Sequence, residues 1–363
     1  MATDNHTIGQ LDQLVLSLPS EQQARFQRIF QVVTSTGALR APAPMRPWLR
    51  DQFGSLEAVE SQKIVRVINR VTLEDALFNP LRSQRPLQTG DGTNLEALAQ
   101  PTPDDQLEAP LEHTPEDVFG RVKGAYSISA SNVAKIDGFS GLIIFDHHSP
   151  LQFTREMVSD YFRVGEEWAR KAHAQDPSGV YYFFVWNCLW PAGASQVHGH
   201  AQTMLARQRH YGKVEHLRIS AQRYREATQA DYFDDLYQAH ADLGLGFDAR
   251  GVRTLAYLTP TKEKEVLILA DSFSEAMVGA IYGALACFRD RLGVVSFNLA
   301  LYQKPIGPVA EDWSGFPALG RIVDRGDLNN RTSDIGGMEL YAASVVASDP
   351  FFVAEKLRSC IIT

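Results

Sequence analysis

His198, His200 and Gln202 stand at alternate positions in the stretch VHGHAQTML, directly after a loop that contains Gly193 and Ser195. Imidazole is well suited to attack phosphorus near neutral pH. Its ordinary pKa of about 6.5 leaves a neutral ring nitrogen available as a nucleophile. A covalent nucleotidyl-histidine would divide one displacement into two easier ones. An amide N–H and a serine hydroxyl nearby can hold the non-bridging phosphate oxygens on which negative charge gathers. Two imidazoles, an amide and a hydroxyl therefore suit phosphoryl or nucleotidyl transfer. The spacing His-x-His by itself is common on surfaces and in strands.

Positioning comes from the surrounding segments. Side chains alternate on a strand, so His198, His200 and Gln202 are expected on one face, with Val197, Gly199 and Ala201 on the other. Upstream, GLIIFDHH reads as a strand, TREMVSDYFRVGEEWARKA as an amphipathic helix and GVYYFFVWN as a second strand. The same order returns in EVLILA, SEAMVGAIYGALACFRDRLG and VVSFNLALYQ, with a charged, helix-like stretch between the copies. The chain is thus expected to be α+β, a tandem duplication in which each half is an antiparallel sheet with helices. Residues 71–211 would form the first half, carrying the histidines, and 212–363 the linker helices and second half. Residues 1–70 read as a helical N-terminal extension, and Thr89 to His113 as a polar surface loop.

The pattern Asn187, Gly193, Ser195, His198, His200, Gln202 resembles the active-site motif of galactose-1-phosphate uridylyltransferases. These belong to the histidine-triad superfamily and are related to diadenosine tetraphosphate phosphorylases. The resemblance implies that His200 is the nucleophile, that Gln202 and Ser195 contact the phosphate, and that Asn187 lies in the nucleotide site. His198 would be structural. NPLRSQRP is similar to a family segment with two arginines before a proline, which implies a diphosphate-binding role for Arg82 and Arg85. Asn132, in SISASNVAKIDGF, is either the family's nucleotide-contacting asparagine or a turn residue. GMELYAASVV resembles the closing segment, with Glu339 at the place of a sugar-contacting glutamate. The similarity runs in patches from about Phe78 to Arg358. The implied activity is nucleotidyl transfer of the kind that exchanges UDP-hexose and hexose 1-phosphate. A phosphorylase or hydrolase of nucleotide sugars or dinucleoside polyphosphates, and a nucleotide-binding protein without turnover, are the alternatives.

Three departures matter. Many family members hold a structural zinc with a Cys-x-x-Cys pair and two histidines. Here Cys188, Cys287 and Cys360 form no such pair, and His148 and His198 are the remaining histidines. No metal or other cofactor is expected on that ground. The second-half strand that often carries another His-x-His reads FNLALYQKP, without histidine. The family's hexose-contacting glutamine is Val345, which cannot hydrogen-bond a hydroxyl.

The 363 residues include 44% hydrophobic and 21% charged side chains, ordinary for a globular chain. A formal net charge of −8 leaves no cationic excess for a nucleic-acid backbone. The expected partners are a nucleotide-sugar or nucleoside polyphosphate substrate, with no nucleic acid and no membrane; the resemblance implies a homodimer. The N-terminal MATDNHTIGQ lacks a signal-peptide pattern and the cysteines are few and scattered, so a cytoplasmic location is expected.

Overall fold

The computed structural model describes residues 6–86, 89, 92–98, 100–102 and 105–362. Among the described residues, thirteen strands form two sheets. They are β1 (Phe30–Ala38), β2 (Ser61–Asn69), β3 (Asp75–Phe78), β4 (Ser127–Ser131), β5 (Ser140–Phe145), β6 (Gly179–Cys188) and β7 (His200–Arg207). They continue with β8 (Gly246–Ala249), β9 (Val252–Ala256), β10 (Val266–Ala270), β11 (Phe297–Tyr302), β12 (Ala318–Asp324) and β13 (Ser344–Val346).

The larger sheet has nine strands in the order β4-β5-β7-β6-β11-β12-β10-β9-β8, with every pair antiparallel. The order mirrors itself about the seam between β6 and β11. Each half is a β-strand, a long helix (Arg155–Gln175 or Glu275–Arg291) and an antiparallel strand pair. The duplicated α+β architecture read from the sequence is the one observed. The two long helices pack against each other and against the sheet. Trp168, Trp186, Phe162, Phe184, Ile281 and Phe288 fill that layer at 2% exposure or less, so the apolar members of the alternating strands are spent on this face.

The register across the seam joins the halves residue by residue. Asn187 pairs with Asn298 and Val185 with Ala300. On either side, Val185 pairs with Gln202 while Ala300 pairs with Arg321 and Asn298 with Val323. Gln202 and Arg321 therefore lie in one cross-strand row that passes through the seam. β12 carries no histidine, so the second half has no imidazole on the strand that corresponds to β7.

The N-terminal region differs from the helical expectation. A helix at Ser20–Ile29 ends directly in β1, and β1 pairs with β2 over nine residues. The helical spacing of Phe26, Ile29 and Phe30 runs into the β-branched Val32, Val33 and Thr34, which favour the extended chain. With β3 and the parallel β13, these strands make a four-stranded second sheet that joins all three parts of the chain.

Candidate active site

β7 begins at His200, so His200 and Gln202 share one face while Ala201 and Leu205 join the core behind. His198 lies just ahead of the strand. It does not continue the row with His200 and Gln202, contrary to the strand-long alternation expected. Gly199 explains the close fit between the two histidines. A Cβ there would sit 2.6 Å from Phe145 Cδ2 and 3.0 Å from the His147 carbonyl oxygen. The backbone is bound on both sides, Gly199 N–H donating to the His148 carbonyl and Phe145 N–H to the Gly199 carbonyl.

His200 is 6% exposed. Its Nδ1 lies 2.8 Å from the His198 carbonyl oxygen, an acceptor only, so Nδ1 carries the proton and Nε2 holds the lone pair. Nε2 makes no hydrogen bond among the described residues, and it is not sealed from solvent as Nε2 of His210 is. Burial pushes the His200 pKa below the ordinary imidazole value. The ring is therefore neutral and oriented, with Nε2 free of hydrogen bonds to the described residues.

On the same strand face Gln202 is half-buried, while Ser195 in the loop before the strand is exposed, and neither side chain has a hydrogen-bond partner among the described residues. The loop between β6 and β7 turns through Leu189, a non-glycine residue at φ +65°, and Gly193 at φ +91°. Left-handed backbone at a leucine costs on the order of 1–3 kcal/mol. The loop is held by Asn298, whose Nδ2 donates to Asn187 Oδ1 (2.7 Å) and to the Ala192 carbonyl (2.8 Å). Arg325 in turn donates to Asn298 Oδ1 at 2.5 Å and forks onto Asp334. Asn187 thus has its Oδ1 engaged and its Nδ2 uncommitted. Asn298 was invisible to the sequence reading, which passed over its strand as one lacking histidine.

Other expected residues lie elsewhere. Arg82 and Arg85 are exposed, three residues apart along a 3-10 turn that Asn79 caps through the Leu81 N–H. They line a cavity of about 490 Å³ with Lys262, Glu339 and Val345. Glu339 is held by the Gly336 N–H and lies 3.5 Å from Lys262 Nζ. It sits in a short helix, Gly337–Tyr341, rather than a strand. His200 is not among the residues lining this cavity. Asn132 caps the β4–β5 turn, its Nδ2 donating to Ser140 Oγ (2.6 Å). Ser140 pairs with Met204, four residues beyond His200 along β7, or about 13 Å at a strand's rise per residue. Asn132 thus has its amide engaged in the turn and does not lie beside His200.

His198 belongs to a second cluster. Nδ1 of His198 and Nδ1 of His148 lie 2.8 and 2.7 Å from the same Asp105 carboxylate oxygen. Glu108 is 3.6 Å from His198 Nδ1, and the four donor atoms fall within 4.8 Å of one another. Asp105 and Glu108 come from the polar loop and are spaced as Asp-x-x-Glu. The sequence reading kept only His148 and His198 here. It missed the carboxylates, because acidic pairs at that spacing are ordinary in polar loops. The cysteine-free cluster nevertheless offers a divalent ion two nitrogen and two oxygen donors, three of them on largely buried side chains and the fourth on the exposed Glu108.

No protein-family model matches the sequence, and no curated protein is similar to it. Solved structures share the fold. An ADP-glucose phosphorylase from Arabidopsis thaliana, solved with bound ADP-glucose, is 18% identical with a TM-score of 0.60, over 81% of this chain and 97% of that one. A uridylyltransferase is 12% identical with a TM-score of 0.57, over 82% and 98%. A galactose-1-phosphate uridylyltransferase-like protein from Arabidopsis thaliana is 18% identical with a TM-score of 0.55, over 70% and 91%. The chain has the uridylyltransferase-like fold of these proteins. Among the described residues, no helix is long and apolar enough to cross a membrane.

Proposed function

We propose that the chain is a nucleotidyltransferase working through a covalent nucleotidyl intermediate on Nε2 of His200. The observation that carries this reading is the His200 ring itself: Nδ1–H committed to a carbonyl, Nε2 bare, the imidazole held neutral by burial. Nε2 attacks the α-phosphorus of a nucleoside diphosphate sugar or related diphosphate. The N–P bond forms as the bond to the bridging oxygen breaks, and the sugar phosphate leaves. An acceptor oxygen then attacks phosphorus from the opposite side and frees the ring. The His198 carbonyl, held against Nδ1–H, stabilises the positive charge the ring carries in the adduct. Gln202 and Ser195 offer unspent donors to the phosphoryl oxygens. Asn187, fixed by Asn298, presents its amide to the nucleotide. Arg82 and Arg85 would bind the departing phosphate, and a homodimer in the cytoplasm belongs to the same reading.

Transfer between UDP-hexose and hexose 1-phosphate is the reaction most like this arrangement. Phosphorolysis of a nucleotide sugar is the second reading, and Val345 favours it. The valine faces the cavity of Arg82, Arg85 and Glu339, and an apolar side chain gives a hexose hydroxyl no partner there. The resemblance in fold to an ADP-glucose phosphorylase supports the same choice. Intact mass after mixing the chain with UDP-glucose or ADP-glucose tests the chemistry. An acid-labile gain of one nucleoside monophosphate is expected, and it should vanish in His200→Gly. A chain that takes up no nucleotide from either donor would refute the intermediate. Product analysis with inorganic phosphate or hexose 1-phosphate as acceptor separates the two readings.

A further inference from the structure

We propose that Cys287 and Cys360 form a redox-responsive dithiol, which exchanges with low-molecular-weight disulfides to close a bridge between the long second-half helix (Glu275–Arg291) and the C-terminal helix (Pro350–Ile361). The two helices pack against each other, and at Gly283 their backbones approach closely. A Cβ built on Gly283 would sit 3.8 Å from both Cα and Cβ of Ile361, and 2.9 Å from its Cγ1. A Cβ–Cβ separation of about 3.8 Å is the ordinary span of a disulfide. Cys287 stands one turn beyond Gly283 on the same face of its helix, and Cys360 immediately precedes Ile361. Across this contact the Cys360 thiol lies against the Cys287 thiol.

The two thiols are unequal, which sets the order of events. Cys360 is half-buried in the last turn of its helix, whereas Cys287 is 1% exposed. Burial, and after it the neighbouring Cys360, push the Cys287 thiol pKa up, while Arg291 and Lys356 act the other way and favour a thiolate. The Cys360 thiolate therefore attacks first. Its bond to one sulfur of the outside disulfide forms as the outside S–S bond breaks and one thiolate leaves. The Cys287 thiolate then attacks Cys360 Sγ, the internal S–S bond forms, and the second outside thiolate leaves. Two protein thiols are oxidised, the outside disulfide is reduced to two thiols, and the two protons pass to the leaving thiolates. Cys188 is buried at the end of β6, its Sγ 3.8 Å from the Val295 carbonyl, and stays outside the exchange.

The bridge closes a loop that contains β11, β12 and β13. β11 carries Asn298, and β13 carries Val345 on the wall of the Arg82–Arg85 cavity. Closing so long a loop removes much entropy from the unfolded chain, so oxidation staples this half of the molecule. In a reducing compartment such a bridge is transient, which suits a sensor rather than a scaffold.

The test counts thiols, which does not depend on turnover. The full chain is incubated in glutathione buffers of rising oxidised fraction, quenched with acid, denatured and alkylated. The reduced chain should take three alkyl groups, one for each cysteine. The oxidised chain should take one, on Cys188, and before alkylation should weigh about 2 Da less than the reduced chain, with a cross-linked peptide joining Cys287 to Cys360. Cys287→Ser should stop at one glutathione held on Cys360, and Cys360→Ser should give neither product. Cys188→Ser should close the bridge as the wild type does. Cys360 is half-buried, so its variant tests the pair even if Cys287→Ser fails to fold. The bridged chain should unfold about 2–6 °C above the reduced one. Three free thiols at the most oxidising ratio would overturn the proposal, as would a wild-type chain that holds glutathione on Cys360 without closing the bridge. Equal unfolding midpoints for the bridged and reduced chains would overturn the stapling role.

Discussion

At the scale of single residues, the shared face of His200 and Gln202 was legible because that arrangement is local. The tautomer of His200 is set by a carbonyl two residues away, and Gln202 follows on the same strand face, so spacing alone carries the information. The cluster at His198 was not legible, since Asp105 lies 93 positions upstream and only the fold brings it in. Gln202→Ala should lower kcat by about 10²–10³-fold, the usual cost of removing one preorganised donor to developing charge, while the adduct still forms in a slow mass-spectrometric time course. Because Ser195 is exposed, Ser195→Ala should cost less in the same assay.

At the scale of elements, the loop and strand around the nucleophile depend on close approach. Gly199→Ala pushes a methyl into Phe145 and the His147 carbonyl, and it should destabilise the chain by about 1–3 kcal/mol, read as a lower denaturation midpoint. Asn298→Ala removes both ties to the Asn187 loop. A loss of about 1–3 kcal/mol is expected, with a fall in kcat for a residue that never touches substrate. The two duplicated halves were readable from the repeated strand–helix–strand pattern. The N-terminal strands were not, because a helix there passes into β1 without a break in its apolar spacing, and β1 and β2 pair residues that stand 23 to 39 positions apart.

At the scale of the molecule, one buried cation fastens the second sheet to the first. Arg321, in the cross-strand row of Gln202, donates to Glu265 (2.7 Å) and twice to Glu74 (2.9 Å), and Glu74 also accepts from Tyr257. Burial acts to raise the Glu74 pKa, but Arg321 and the hydroxyls of Tyr257 and Thr72 outweigh it and hold the carboxyl below its usual 4.5. A depressed carboxyl stabilises the fold above its unfolded pKa, and that stability is lost as pH falls through the folded value. Arg321→Met strands two carboxylates, at a cost of about 3–5 kcal/mol near neutrality. The gap to wild type should narrow between pH 7 and about 4, as acid neutralises the stranded groups, in thermal unfolding followed against pH.

The seam between β6 and β11 also bears on what a fragment would do. Excised from the rest, strands β4 to β7 would expose β6 as a bare edge, with a row of unpaired amides and carbonyls. β11 runs antiparallel to β6 across that seam, so a second β6 can take the vacated place in the same sense. Two such pieces should join edge to edge into a twofold particle with a His200 on each side, and light scattering should return double the fragment's mass.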